Sequence, residues 1–352
     1  MMLDSLVTRR DLFRAAIAGA VLGSSRLSLA VDADTQKKVD EAIVRALDFL
    51  ASAQLPEGAW RSDSYGECTA STSLACMAFM SAGHTPGEGP YGDMLNKGIR
   101  WVMSRQEDNG MLVAKRSHGP MYSHGISTLM LAEAIGMVDE AQAKLLKRSL
   151  ERAIRLILES QAYEKDHRHK GGWRYQTDSR DSDLSVTGWQ VMALRAAKDV
   201  GCDVPAEAID KAVAYVKECS TKDYRGFGYQ PGSGATPTLT GVGITCLEVC
   251  GAHDTEEARG GAKWLKDNPL RIDSNYCYYG IYYTGVGLFK LGGEYAEQSH
   301  ANLCKLLLPI QGADGSWNPE HGSERGVGKS YGTALAILGL AIEYRYLPIY
   351  QR

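Results

Sequence analysis

The chain has 352 residues, 44% of them hydrophobic and 23% charged, a composition that excludes an intrinsically disordered protein and is enough for one large core or two small ones. Its formal net charge is only −3, and no run of Lys and Arg follows the first turn of the chain, so the electrostatic footprint of a nucleic-acid binder is absent.

Residues 1–30 read as a targeting segment. The stretch "TRRDLFR" (Thr8 to Arg14) leads into the apolar "AAIAGAVLG" and then "SRLSLA", with small residues at Ser28 and Ala30. It resembles a twin-arginine export signal, with Leu12-Phe13 in the reverse of the commonest order and Arg14 in place of the usual lysine. The apolar stretch is about half the ~20 residues needed to cross a hydrocarbon core, and no later segment is apolar and long enough to span a bilayer. The expectation is export of a folded chain, 31–352, to the periplasm or cell envelope, with no transmembrane segment after cleavage.

Eight cysteines in an exported protein raise the question of disulfides. Cys76, Cys246 and Cys250, however, lie in apolar helical stretches, where a free cysteine behaves as a small hydrophobe. Cys246 and Cys250 share a helix face but cannot bond within an undistorted helix, because their Cα atoms stay ~6 Å apart with parallel Cβ directions. There is no CxxC and no paired His/Cys zinc spacing. Neither a disulfide framework, a metal nor a cofactor is expected.

From residue 31 onward one design recurs. Amphipathic segments end in Gln, Ser or Asn: "AIVRALDFLASAQ" at Gln54, "GIRWVMSRQ" at Gln106, "AIRLILESQ" at Gln161, "AVAYVKECS" at Ser220, "GAKWLKDN" at Asn268 and "LCKLLLPIQ" at Gln311. Glycine-aromatic turns follow four of them, at Trp60, Trp173, Phe227 and Trp317. The first segment of each unit has one apolar stripe, the pattern of a surface helix, as in Val39, Ile43, Ala46, Leu47 and Leu50. The second segments, such as "STSLACMAFMSAG" and "GTALAILGLAIEY", are apolar on nearly every side, which is the pattern of a buried helix. Six such pairs predict an all-α fold in which six inner helices stand inside six outer ones. An open solenoid competes with a closed ring; the ring is favoured because neither end has a polar capping repeat.

The Q-x-x-x-G-x-W pattern of "QLPEGAW" (Gln54 to Trp60) and "QGADGSW" (Gln311 to Trp317) is similar to the repeat of squalene and hopene cyclases. On these motifs the chain is identified as a member of the prenyltransferase/squalene oxidase repeat proteins, the α/α toroid superfamily of terpenoid cyclases and protein prenyltransferases. The resemblance covers about the whole of residues 31–352. It implies an α/α toroid of six helix pairs, a central cavity for an isoprenoid or lipid-type ligand, and three chemistries to compare residue by residue.

The cyclases' acidic D-x-D-D-T motif is matched in part by "DLSVT" (Asp183 to Thr187) or by Asp181-Ser182-Asp183, and neither register supplies the whole set. Asp183 and Asp181 are candidate acids, with a helix cap formed by Asp183 or Ser185 the competing role. The prenyltransferase zinc set is broken, since Asp273 and Cys277 stand four apart and Gly332 occupies the histidine position. The thioester motif C-G-E-Q is absent from "YGECTA", which leaves Cys68 at a helix N-terminus with either packing or ligand contact as its role. His124 opens the second buried helix and is a candidate proton shuttle or a satisfied loop histidine.

The aromatic residues of "NYCYYGIYY" suggest a binding wall. Tyr276, Tyr279 and Tyr283 are spaced as one helix face, Tyr278 lies on the same helix and Trp189 and Tyr331 on other inner helices, and His124, Asp183 and Thr333 are expected at the mouth of the pocket. Two functions follow from these expectations: a toroid that binds, and can transform, an apolar ligand, or a non-catalytic interaction module for a cell-envelope protein. A large dry cavity favours the first and a side-chain-filled interior the second. A carbohydrate-active toroid is a third reading, requiring two carboxylates across a cleft.

Overall fold

The computed structural model describes residues 32–114 and 119–351; the export signal expected over residues 1–30 lies outside them. Twelve α-helices in six consecutive pairs make up the described chain. They are α1 (Ala33–Ala53) with α2 (Thr69–Ser81), α3 (Gly92–Ser104) with α4 (Pro120–Ile135), α5 (Glu140–Ala162) with α6 (Leu184–Asp199), α7 (Ala206–Glu218) with α8 (Pro237–Val249), α9 (Glu256–Asp267) with α10 (Cys277–Leu291), and α11 (Gly293–Leu307) with α12 (Lys329–Leu340). A short antiparallel ribbon, β1 (Arg61–Ser62) with β2 (Gly66–Glu67), decorates the first turn.

The odd-numbered helices form the outer layer. Each buries one stripe, as α1 does with Val39, Ala42, Ile43, Ala46, Leu47 and Leu50. Polar caps start several of them, Asp32 accepting from Thr35 N at 2.7 Å and Asp139 from Gln142 N at 2.9 Å. The even-numbered helices are buried almost all round. They pack in sequence, α2 on α4, α4 on α6, α6 on α8, α8 on α10, α10 on α12, and α12 back on α2. That last contact closes the ring and rules out the open solenoid. Pairs α8 and α10 approach most closely through glycines: a Cβ on Gly241 would lie 2.8 Å from Thr284 N, and one on Gly287 would lie 2.9 Å from Thr245 N.

The recurrent turn explains the sequence pattern. The Nε2 amide of Gln54 donates to Gly58 O (3.0 Å) in its own turn and to Met94 O (2.9 Å) on the next outer helix. Gln106 does the same with Gly110 O and Ser149 O, and Gln161 with Gly171 O and Ala208 O. Gln311 joins Gly315 O to Ala42 O at 2.9 and 2.8 Å, and so ties the sixth unit to the first. The glycine is required because the turn lies against the neighbouring backbone. At Gly171, with φ +91°, an added Cβ would sit 2.1 Å from Lys211 O. The turn tryptophans then donate back to their own outer helices, Trp60 to Leu50 O, Trp173 to Ile157 O and Trp317 to Leu307 O.

Gln161 is the most buried of these glutamines, so Gln161→Ala leaves two carbonyls without a donor and is expected to destabilise the fold by about 2–3 kcal/mol. Gln161→Glu should be worse at neutral pH, because it sets a carboxylate against the same carbonyls. Urea unfolding of the two variants beside the parent checks both the size and the order.

Candidate functional site

Because outer and inner helices alternate, all six inner helices run the same way and present their N-termini at one mouth of the ring. The polar groups gathered there are mostly satisfied by one another. At the start of α6, Asp183 is fully buried, with extended backbone (φ −134°, ψ 155°), and its Oδ1 accepts from Val186 N (2.9 Å) and Ser185 Oγ (2.6 Å). Its Oδ2 has no hydrogen-bond partner and lies 3.6 Å from Arg174 Nε. Burial raises the Asp183 carboxyl above the ordinary carboxylate range, against the pull of Ser185, Val186 and Arg174.

Arg174 is held in place from three sides. Its Nη1 stands 3.1 Å from Asp181 Oδ2, and its guanidinium lies over the rings of Tyr175 (4.8 Å) and Tyr229 (5.4 Å). The hydroxyls of Tyr175 and Tyr229 share a hydrogen bond of 2.5 Å. Across the mouth, Ser185 Oγ meets Tyr122 OH at 2.5 Å, and Tyr279 OH reaches from α10 past α8 to donate to Ser185 O at 2.6 Å.

A second buried carboxylate faces α10. Glu324 accepts from Tyr278 N and Tyr279 N, each at 2.9 Å, and from Tyr331 OH at 2.8 Å. Burial raises its carboxyl, and these three donors oppose the shift. It caps α10 from a loop 46 residues away, because the residue before the helix, Tyr276, is in the left-handed region (φ 56°, ψ 46°) and gives no side-chain cap.

Below the mouth a cluster of aromatic side chains packs together inside the ring. Trp189 stacks on Tyr282 (5.4 Å) and meets Tyr283 (5.1 Å) and Tyr279 (5.9 Å) edge-on, while Tyr279 and Tyr283 lie 4.8 Å apart. These four side chains are between 0 and 8% exposed.

The expected site residues therefore divide. Asp183, Trp189, Tyr279, Tyr283 and Tyr331 do converge. Tyr276 departs from the helix-face expectation: it precedes the helix, is 48% exposed, and shares no face with Tyr279 and Tyr283. Tyr278 turns toward the sixth unit, its hydroxyl 3.4 Å from Asn318 O. Asp181 is half-buried beside Arg174 and Gln230. Cys68 is buried at the start of α2 and makes no side-chain cap bond.

His124 and Thr333 serve the turns. In four units a threonine on the inner helix accepts from the backbone N–H of the turn aromatic: Thr72 from Trp60, Thr187 from Trp173, Thr240 from Phe227 and Thr333 from Trp317, all at 2.9–3.0 Å. His124 takes that place in the second unit, its Nδ1 accepting from Leu112 N and its Nε2–H donating to Ala153 O, both at 3.1 Å. With both nitrogens engaged, the neutral ring has no lone pair left for proton transfer.

The residues aligned with the prenyltransferase zinc set form no metal-binding group. Asp273 is exposed and pairs with Arg271 at 3.1 Å, the Cys277 thiol is pushed up to about 12 by burial, and Gly332 packs on Trp317 O and Pro319. Among the described residues, no group of three or more His, Cys, Asp and Glu side chains could hold a metal. All eight cysteines are free thiols.

Sequence reasoning missed Glu324, Arg174, Tyr122, Tyr175 and Tyr229. The last two follow glycine-aromatic turns in "GGWRY" and "GFGY", a signal that could have found them; Glu324 has none.

A profile of the prenyltransferase alpha-alpha toroid domain matches residues 10–112 and 114–276. No protein of curated function matches the chain in sequence. Among solved structures, the chain is similar to the alpha-1,6-mannanase GH76A of Salegentibacter sp. in an inactive form with alpha-1,6-mannotriose, at TM-score 0.65 and 10% identity over 86% of this chain and 99% of that one. It is also similar to a type II terpene cyclase from Scytonema, a variant of which is seen with its product merosterolic acid A, at TM-score 0.60 and 14% identity over 90% of this chain and 100% of that one. At these identities the likeness is one of fold. Among the described residues no helix is long and apolar enough to cross a membrane.

Burial lowers the His124 imidazole to about 4 from 6.5. The unfolded chain then takes up a proton that the folded one refuses, so stability present above pH 6.5 is lost as the pH falls toward 4, by up to about 3 kcal/mol. His124→Thr, which restores the residue found in four sister units, should flatten this window of the stability–pH profile whatever its effect at pH 7. Chemical denaturation between pH 4 and 8 measures it.

Proposed function

Because this chain belongs to the family of the prenyltransferase alpha-alpha toroid domain, we propose that it uses the toroid as a non-catalytic recognition module of the cell envelope, taking a segment of a partner protein on the mouth at the N-terminal ends of the inner helices. The packed aromatic cluster inside the ring carries this reading. Trp189, Tyr279, Tyr282 and Tyr283 are buried and pack on one another inside the ring, which supports an interior taken up by side chains rather than by an apolar ligand. Recognition is left to the face above them, where Arg174, Tyr175, Tyr229 and Tyr276 are half-buried or exposed. Tyr and Arg are the side chains that dominate protein interfaces. Arg174 and Tyr175 are also already oriented by their neighbours, which lowers the entropy lost on binding.

A photoreactive phenylalanine analogue in place of Tyr276, in cells that make the protein, should give one protein adduct of defined mass that disappears with Arg174→Ala. An isoprenoid lipid co-purifying at about one per chain, with no protein adduct, would overturn the proposal.

One observation favours a second reading, an isoprenoid or lipid-type ligand acted on by Asp183. That carboxyl is buried, its Oδ2 lacks a hydrogen-bond partner, and burial keeps it more basic than a free aspartate. The terpene cyclase structure that holds its product supports a ligand of this class. In that case Asp183→Asn removes turnover of an added isoprenoid while ligand binding survives. If Asp183 is a cap alone, asparagine replaces it with a melting temperature within about 2 °C of the parent and nothing else changes.

A further inference from the structure

The opposite end of the ring, where the inner helices finish, holds a half-open cavity of about 520 Å³. Arg195 and Asp199 come to it from the end of α6, Glu248 from the end of α8, Lys290 from the end of α10, and His253 and Gln351 from the loops around it. Two of these groups each keep one buried atom without a hydrogen-bond partner. Glu248 is 4% exposed; its Oε2 stands 2.8 Å from His253 Nδ1, whereas its Oε1 is buried with no hydrogen-bond partner. Arg195 Nε is likewise buried and unpartnered, and the guanidinium's nearest carboxylate contact is a long one, Nη2 to Asp199 Oδ1 at 3.9 Å. Lys290 is committed elsewhere, donating to Gln351 O at 3.0 Å.

We propose that this cavity is a second ligand site, for a small zwitterion that carries a primary ammonium and a carboxylate. The Glu248 oxygen needs an N–H donor, because a buried acceptor without one carries a desolvation penalty that a ligand can remove. The carbonyl ends of α6 and α8 converge on the same place and favour positive charge there. Arg195 Nε–H needs an acceptor and supplies the other pole. A simple cation would leave Arg195 unsatisfied, and a simple anion would face Glu248 and Asp199. Fixed charges of both signs around the cavity suit a molecule that is neutral in sum and dipolar in arrangement. A free amino acid has this chemistry, and so has a short peptide. The volume lies within the range of about 300–1,000 Å³ common for small-molecule sites.

Calorimetric titration with L-alanine, L-lysine and L-alanyl-L-alanine tests the site, with trimethylglycine as the matched compound that keeps the carboxylate and has no N–H. At least one of the first three should bind one-to-one with a Kd of about 1 mM or tighter, and at least tenfold more tightly than trimethylglycine. Preference between alanine and the dipeptide separates the free amino acid from a peptide as source. Glu248→Gln and Arg195→Gln should each weaken that binding about tenfold or more, with the melting temperature near that of the parent. If Glu248→Gln does not fold, Arg195→Gln decides alone. No heat from any of the three at about 10 mM, equal binding of trimethylglycine, or unchanged affinity in a folded variant overturns the proposal. None of these outcomes depends on the mouth at the other end, so the two assignments stand or fall separately.

Discussion

The double hydrogen bond of the turn glutamine is the interaction on which the rest of the structure depends. One amide donates to a carbonyl in its own turn and to a carbonyl on the neighbouring outer helix, as Gln54 does with Gly58 O and Met94 O. A helix pair of this kind cannot bury its apolar faces alone and needs a neighbour at a fixed offset. The clamp sets that offset with directional bonds, and Gln311 applies it between the last unit and the first. The fourth and fifth units end in Ser220 and Asn268 and lack the bond to the next helix. In the fourth unit contact is kept by a different exchange of residues. Tyr224, in the left-handed region at φ 56°, stands where the other turns have glycine, and the glycine has moved to the next outer helix as Gly260, whose added Cβ would meet Tyr224 O at 2.2 Å.

Architecture was legible in the sequence because it is written in repeats. The paired helices, their buried and exposed faces and the Gln-Gly-Trp turns each recur, so an error in one unit is corrected by the others. The site was less legible because it depends on what differs between units. His124 looked like chemistry only until it was compared with Thr72, Thr187, Thr240 and Thr333, whose bond to the turn backbone it reproduces. Tyr276 fitted a helical period, but helix α10 starts one residue later, and the period does not extend past a helix end. Glu324 caps a helix of another unit, and no local pattern records a partner 46 residues distant.

The parallel inner helices also explain why the two mouths differ. Six aligned helices bring their unpaired N–H groups to one end and their unpaired carbonyls to the other, and helix dipoles favour negative charge at the first and positive charge at the second. At the N-terminal mouth the buried carboxylates Asp183 and Glu324 accept from the N–H groups of Val186, Tyr278 and Tyr279. At the C-terminal mouth Arg195 and Lys290 gather, beside the carboxylates of Asp199 and Glu248. A second buried acid at this end besides Glu248, Glu133 near the end of α4, is pushed up to about 8 by burial and is held under the C-terminal segment by Ile349 N–H at 3.2 Å.

This polarity bears on what each end can bind. The N-terminal mouth has used most of its donors and acceptors internally, so what it offers a partner is the aromatic and guanidinium surface of Arg174, Tyr175, Tyr229 and Tyr276. Affinity at such a surface comes from apolar contact and cation–π geometry and tolerates variation in the partner's polar groups. At the C-terminal mouth, Glu248 Oε1 and Arg195 Nε remain unsatisfied beside a cavity. Selectivity there should be sharp, since a molecule without both a donor and an acceptor leaves one of these groups buried and unpaired.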